Sequence, residues 1–144
     1  MTIDFLTIMD VNASLKSQIH ILYKQLNADI VQLDIEEVLN QGNKFQIACC
    51  WDEGALIGMA SIATYKVISG YKGMIEDVVV SNNRRGEGIG RKLMESLISK
   101  SKELGLTELL LFSGNLRIPA IQLYKSLGFV QKESGIFTMK HRSI

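Results

Sequence analysis

Apolar residues recur along this chain in two rhythms, and the points where one gives way to the other divide it into elements. Residues 2 to 9, TIDFLTIM, predict a first strand. After Val11-Asn12, Leu15, Ile19, Leu22 and Leu26 follow at spacings of four, three and four, which predicts a helix with one buried face. A second, short helix is expected from Asp34 to Asn40, with Asp34 as cap, Ile35, Val38 and Leu39 inward, and an end near Gly42. Phe45 to Trp51 and Ala55 to Tyr65 are apolar, rich in β formers and separated by the turn signal Asp52-Glu53-Gly54, so they predict an antiparallel hairpin. Tyr65 to Gly73, with glycines at 70 and 73, predicts a loop into the central strand Ile75 to Val80. Ile89, Leu93, Met94, Leu97 and Ile98 then share a helix face, Gly105 stops that helix, and Leu106 to Phe112 predicts a buried strand. Ala120, Leu123, Tyr124 and Leu127 mark a last helix with Pro119 in its first turn and Gly128 at its end. Glu133-Ser134-Gly135, between two short strand-like runs, predicts a closing hairpin.

Composition narrows the class. The 144 residues suit one domain, residues 1–144, and 47% apolar with 22% charged residues is a globular balance. A net charge of +1 gives no electrostatic footprint for nucleic acid, so Arg84-Arg85 and Arg91-Lys92 are expected to meet phosphates of a small molecule. Cys49 and Cys50 are adjacent in an apolar run and cannot staple distant segments, which fits core residues of a reduced interior. No apolar run approaches the roughly 18 residues that span a membrane, and no leader pattern opens the chain, so a cytoplasmic protein without membrane partners is expected. His20 and His141 lack metal-ligand spacing and are read as structural, and no metal is expected. Trp51 fits packing better than ligand stacking.

The chemistry concentrates in IEDVVVSNNRRGEGIG, residues 75–90. A strand runs into glycines 86, 88 and 90 at a helix start, where backbone N–H groups can converge on one phosphate and the helix dipole adds partial positive charge. A nucleoside triphosphate loop needs Gly-Lys followed by Ser or Thr, and Gly90 is followed by Arg91-Lys92-Leu93. A dinucleotide fingerprint needs G-x-G-x-x-G with an acidic residue about 20 positions on, and the downstream region here is Leu109-Leu110-Leu111-Phe112.

Arg85-x-x-Gly88-x-Gly90 after an apolar strand resembles the acetyl-CoA signature of the GNAT superfamily of N-acetyltransferases. Ala120, Tyr124, Gly128 and Phe129 resemble its second motif, the one that closes the cofactor site. The slot seven residues before the Tyr, often Asn in the superfamily, holds Arg117 here, with Asn115 two positions earlier; either is a candidate for the pantetheine arm. The resemblance is close over Ile75 to Phe129. It implies an α/β fold with a mixed, mostly antiparallel sheet of six to seven strands, about four flanking helices, and a central strand splayed from the next to admit acetyl-CoA. The backbone of Val78, Val79 and Val80 would pair with the pantetheine amides, and the N–H groups of Arg85, Gly86, Glu87, Gly88, Ile89, Gly90 and Arg91 would hold the pyrophosphate. The expected partner is a small-molecule or peptide amine, and a homodimer is compatible with the reading. The string Ile75 to Val80 also looks like the central strand of glucosamine 6-phosphate N-acetyltransferases, a minor alternative.

Acetylating a primary amine needs a base, because an alkylammonium has a pKa of about 10.4. Glu76, through a water, is the first candidate; an ion pair or a solvated strand edge would equally account for it. A departing thiolate gains from a proton, and Tyr124 is the candidate acid, with a packed core tyrosine as the alternative. A backbone N–H near Asp77 or Val78 is expected to polarise the thioester carbonyl. Tyr23, Asp29, Asp34, Glu36 and Glu37 are potential amine contacts but read more readily as solvated. A catalytically silent acyl-CoA-binding module is the alternative to an enzyme.

Overall fold

Asn12 begins the first helix by accepting a hydrogen bond from the Leu15 N–H through its side chain, at 2.9 Å. This α1 spans Ala13–Lys24 in a computed structural model that describes residues 1–114 and 117–141. Two units make up the chain, Met1–Phe112 and Ser113–Ile144.

The first unit holds a five-stranded sheet in the order β1-β2-β3-β4-β5, with β1 Thr2–Phe5, β2 Phe45–Asp52, β3 Ala55–Val67, β4 Gly70–Val80 and β5 Glu108–Leu110. The first three pairings are antiparallel, and β4 with β5 is parallel, as the intervening α3, Ile89–Leu104, requires. A short α2 spans Ile35–Val38 after Asp34. Alternation along the strands sorts the core into two layers. Ile47, Cys49, Met59 and Val79 pack with Leu15 and Leu22 of α1 and Ile35 of α2. On the other face Gly58 leaves room for α3: a Cβ there would stand 2.9 Å from Ile89 Cγ2 and 3.1 Å from Leu93 Cδ1.

Several boundaries differ from the sequence reading. The strand expected over residues 2–9 stops at Phe5, because the Thr7 N–H and hydroxyl both bond the Asp10 carboxylate, at 2.8 and 3.1 Å, and wind Ile8–Asp10 into a 3-10 turn. The loop expected from Tyr65 to Gly73 is a continuation of the β3–β4 hairpin, with Val67 opposite Gly70. Gly73 is a packing position in the strand, since a Cβ would fall 2.5 Å from Leu106 Cδ2 and 2.9 Å from Ile62 Cδ1. The buried strand expected over Leu106 to Phe112 shrinks to Glu108–Leu110 and is half-buried. Its start is taken by other bonds: the Leu106 N–H caps α3 on Ser101 O, and the Thr107 N–H donates to Tyr71 O.

The second unit contains α4, Ile118–Ser126. The closing hairpin does not form, and the described residues carry five strands instead of six to seven. Val130, Phe137 and Met139 are exposed at 85, 97 and 81%, so the tail lacks the buried face that a two-stranded ribbon needs. Among the described residues no helix is long and apolar enough to cross a membrane.

Leu93 is fully buried on the face that seats α3 under the sheet. Leu93→Ala is expected to remove about 2–5 kcal/mol of stability. A urea titration should show a lower midpoint with an unchanged slope; an unchanged midpoint would mean that α3 is not anchored there.

Candidate active site

Strand β4 meets β5 only through Lys72, Gly73 and Met74. From Ile75 onward its second edge has no strand partner among the described residues. Val78, Val79 and Val80 lie on this stretch. An unpaired strand edge is a surface on which an extended amide-bearing ligand can bond.

Beyond Val80 the chain makes a 3-10 turn at Asn82–Arg84 and enters α3 through glycines. Gly86 and Gly88 have φ of +84 and +78, and a Cβ on either would meet no atom within 4 Å. Their role is therefore conformational and leaves open space above the helix start. The Lys92 N–H bonds Gly88 O at 3.1 Å, so Gly88 is the N-cap, and Ile89, Gly90 and Arg91 form the first turn, whose N–H groups have no acceptor within the helix. Anions suit such an end. Arg85, Glu87 and Arg91 are exposed around it.

Arg84 corrects the expectation that both arginines of its pair face phosphate. Its guanidinium grips both Glu87 oxygens, at 2.8 and 3.0 Å, and Asp52 at 2.8 Å, so it straps the glycine loop to the β2–β3 turn. The hydrogen bond from Arg84 holds the Glu87 carboxyl below its ordinary range. The Asn82 N–H also bonds Gln25 Oε1 at the end of α1, at 2.7 Å.

Strand β4 carries a bulge that the hydrophobic pattern does not predict. Met59 faces Val79 and Ser61 faces Glu76, so Ala60 alone stands opposite both Asp77 and Val78. Asp77 has φ +52, a left-handed conformation uncommon outside glycine. The bulge brings Asp77 to the wall of a cavity of about 300 Å³ with Tyr23, Ser61 and Asp34. Its apolar walls include Ile47, Met59 and Phe45, and the α1–α2 loop contributes Ile30, Val31 and Leu33. Neither Asp77 nor Ser61 has a side-chain hydrogen-bond partner among the described residues, and Ser61 is only 2% exposed.

Burial raises the Asp77 carboxyl. Glu76, the sequence candidate for the base, is raised by burial first and then by the charge of Asp77, and has no ion-pair partner among the described residues. Tyr23 is raised by burial and then by both carboxylates, so the three side chains share one electrostatic environment. Of the acidic residues weighed from sequence, Asp34 lines the cavity; Asp29 and Glu37 do not, and Glu36 is ion-paired with Lys16.

In the second unit Tyr124 is buried on α4, edge-on to Phe129 with centroids 6.2 Å apart, and its hydroxyl has no hydrogen-bond partner among the described residues. Burial raises its pKa, with Arg117 opposing, so the phenol keeps its proton near neutrality. Arg117 is the residue immediately before α4; Asn115 lies outside the described residues. Burial pushes the Cys49 thiol up to about 12 and also raises Cys50, so neither is a ready nucleophile. Among the described residues no group of three or more metal-ligating side chains occurs.

Residues 15–129 match the model of the acetyltransferase (GNAT) family. The chain is 30% identical over 108 residues to N-acetyltransferase family 8 member 2 of Rattus norvegicus, covering 74% of this chain and 46% of that protein. It thus spans about half the length of that curated relative. Its fold is similar to an aminoglycoside acetyltransferase from an uncultured soil metagenomic sample, with TM-score 0.83, 19% identity, and 99 and 96% of the two chains covered. Glucosamine-6-phosphate N-acetyltransferase of Arabidopsis thaliana gives TM-score 0.77 and 24% identity over 96 and 99% of the chains.

Because burial raises the Asp77 carboxyl, the folded protein holds this proton more tightly than the unfolded chain. Ionisation therefore lowers stability as pH rises from the ordinary value of 3.8 through the raised one, and the penalty is fully present at neutrality. Asp77→Asn keeps a residue that tolerates positive φ. The variant should melt above the parent at pH 7 and lose that advantage below about pH 3.5; an advantage that persists in acid would refute the burial account.

Proposed function

The chain belongs to the GNAT acetyltransferase family, and from that membership we propose that it moves the acetyl group of acetyl-CoA directly to a primary amine in a ternary complex. Residues 1–144 act in this reading as one cytoplasmic catalytic domain. The carrying observation is the β4–α3 junction: a strand edge unpaired beyond Met74 that leads into an open glycine cradle at a helix N-terminus. The residues present suit the cofactor. The N–H groups of Arg85 to Arg91 hold the pyrophosphate, and the backbone of Val78 to Val80 holds the pantetheine amides. Arg117 or Asn115 contacts the same arm. Bound acetyl-CoA supplies an activated thioester.

Glu76 takes the proton of the acceptor ammonium through a water, and its raised pKa makes it a stronger base than an ordinary carboxylate. The amine lone pair attacks the thioester carbonyl, and the amide bond is complete when the C–S bond breaks and the nitrogen gives up its second proton. Tyr124, protonated at neutrality, gives its hydroxyl proton to the departing sulfur, and the proton lost from the nitrogen restores the phenol through solvent. An acyl-enzyme route needs an activated cysteine, and the raised thiols of Cys49 and Cys50 argue against one. The phenol hydroxyl, without a hydrogen-bond partner among the described residues, also favours an enzyme over a silent acyl-CoA binder.

Gly90 has helical backbone in the first turn of α3, so Gly90→Val adds bulk to the cradle without left-handed strain. Calorimetry should show acetyl-CoA binding weakened by at least ~10-fold in a folded variant, as expected for losing one charge-assisted bond of roughly 1.5–3 kcal/mol. Unchanged affinity would refute the cofactor site. Release of CoA thiol in the presence of an amine is the direct assay. In it Tyr124→Phe should lower kcat by about 10²- to 10⁴-fold with little change in acetyl-CoA affinity. Glu76→Gln should remove the acidic limb of the kcat/KM profile against pH. Unimpaired turnover or an unmoved limb would dismiss the corresponding residue.

A further inference from the structure

The cavity beside the bulge has a polar wall and an aliphatic one. The polar wall carries the solvent-exposed Asp77, the buried Ser61 hydroxyl and Tyr23, and neither Asp77 nor Ser61 has a side-chain hydrogen-bond partner among the described residues. The aliphatic wall, at the cavity's mouth, is formed by Ile30, Val31 and Leu33, exposed at 47, 75 and 47%. Three exposed aliphatic side chains within four positions of the α1–α2 loop form an apolar patch that a ligand's apolar body can cover. The loop is held in place, because Gln32 Nε2 donates to His20 O on α1 at 3.0 Å.

The charges decide what the occupant carries. Ser61 and Asp77 offer acceptors to an ammonium, and two carboxylates, Glu76 and Asp77, reach the same region. The lysine on the wall, Lys16, is ion-paired with Glu36 and also feels Asp34, so it offers little attraction to a carboxylate or phosphate. An anionic substituent entering this space would meet the carboxylates and aliphatic side chains, with only the His20 ring and the paired Lys16 as basic groups. A polycation without an apolar body would leave the mouth uncovered.

Building on the acetyl-transfer reading, we infer that the acceptor is a cationic primary amine on an apolar body without an anionic group, its ammonium held by Asp77 and Ser61 and its body covered by Ile30, Val31 and Leu33. Asp77 is thereby the residue that reads the amine. The β4 bulge is the device that delivers it, since it places an extra residue at that point in the strand. The reading disfavours glucosamine 6-phosphate, whose phosphate finds here only His20 and Lys16, the latter already paired with Glu36.

The test compares CoA release with 2-phenylethylamine, phenylalanine, spermidine and glucosamine 6-phosphate. A kcat/KM at least ~10-fold higher for 2-phenylethylamine than for each of the others is expected, within the range that pocket contacts discriminate. Asp77→Asn should raise the KM for 2-phenylethylamine by at least ~10-fold while acetyl-CoA affinity, read by calorimetry, stays unchanged. Val31→Ser, at an exposed position that the fold tolerates, should narrow the preference for 2-phenylethylamine over spermidine. Turnover that favours the phosphorylated sugar, the amino acid or the polyamine overturns the inference and leaves acetyl transfer standing. So does an unaffected KM in Asp77→Asn. Acetyl-CoA binding without thiol release from any amine overturns acetyl transfer and the inference with it.

Discussion

One extra residue in β4 governs the arrangement on which the site depends. Asp77 and Val78 share a single partner, Ala60, and this shifts the phase of the strand by one position. Without the shift, Val79 would turn away from Met59 and toward α3, and the layer that packs under α1 would lose a member. With it, Glu76 and Val79 stand on the same face, opposite Ser61 and Met59, and Asp77 is brought to the cavity wall. A left-handed φ at a non-glycine residue is held in place by the β3 pairing on both sides of it.

The elements split cleanly into those with local causes and those without. The α1 and α3 helices were legible because their apolar residues repeat on one face and their ends carry Asn12, Gly88 and Gly105. The glycine cradle was legible because a positive φ and a helix start leave a signature in composition. Register leaves none. The adjacent carboxylates Glu76 and Asp77 in an otherwise apolar string were the only visible trace of the bulge, and they do not say which way either points. Tyr23 was similarly unreadable, since its partners come from residues more than fifty positions away.

The missed strand ends share one cause. Thr7 and Leu106 have apolar or β-forming surroundings, yet each donates its backbone N–H to a partner outside a ladder, namely Asp10 and Ser101. Propensity sees the side chains, whereas the backbone donors decide where a strand stops. The tail errs in the opposite direction: alternation suggested a hairpin, and burial to stabilise it is lacking.

Arg84 has a consequence for the energetics of ligand capture. By clasping Glu87 and Asp52 together it fixes the glycine loop to the end of the β2–β3 hairpin. The conformational entropy of ordering that loop is then lost during folding, when the sheet assembles, and not again at each encounter with a phosphate. A mobile glycine loop would have to be frozen by its ligand and would surrender affinity for doing so. Here rigidity is supplied from below, by three charges whose geometry is independent of whatever arrives above them.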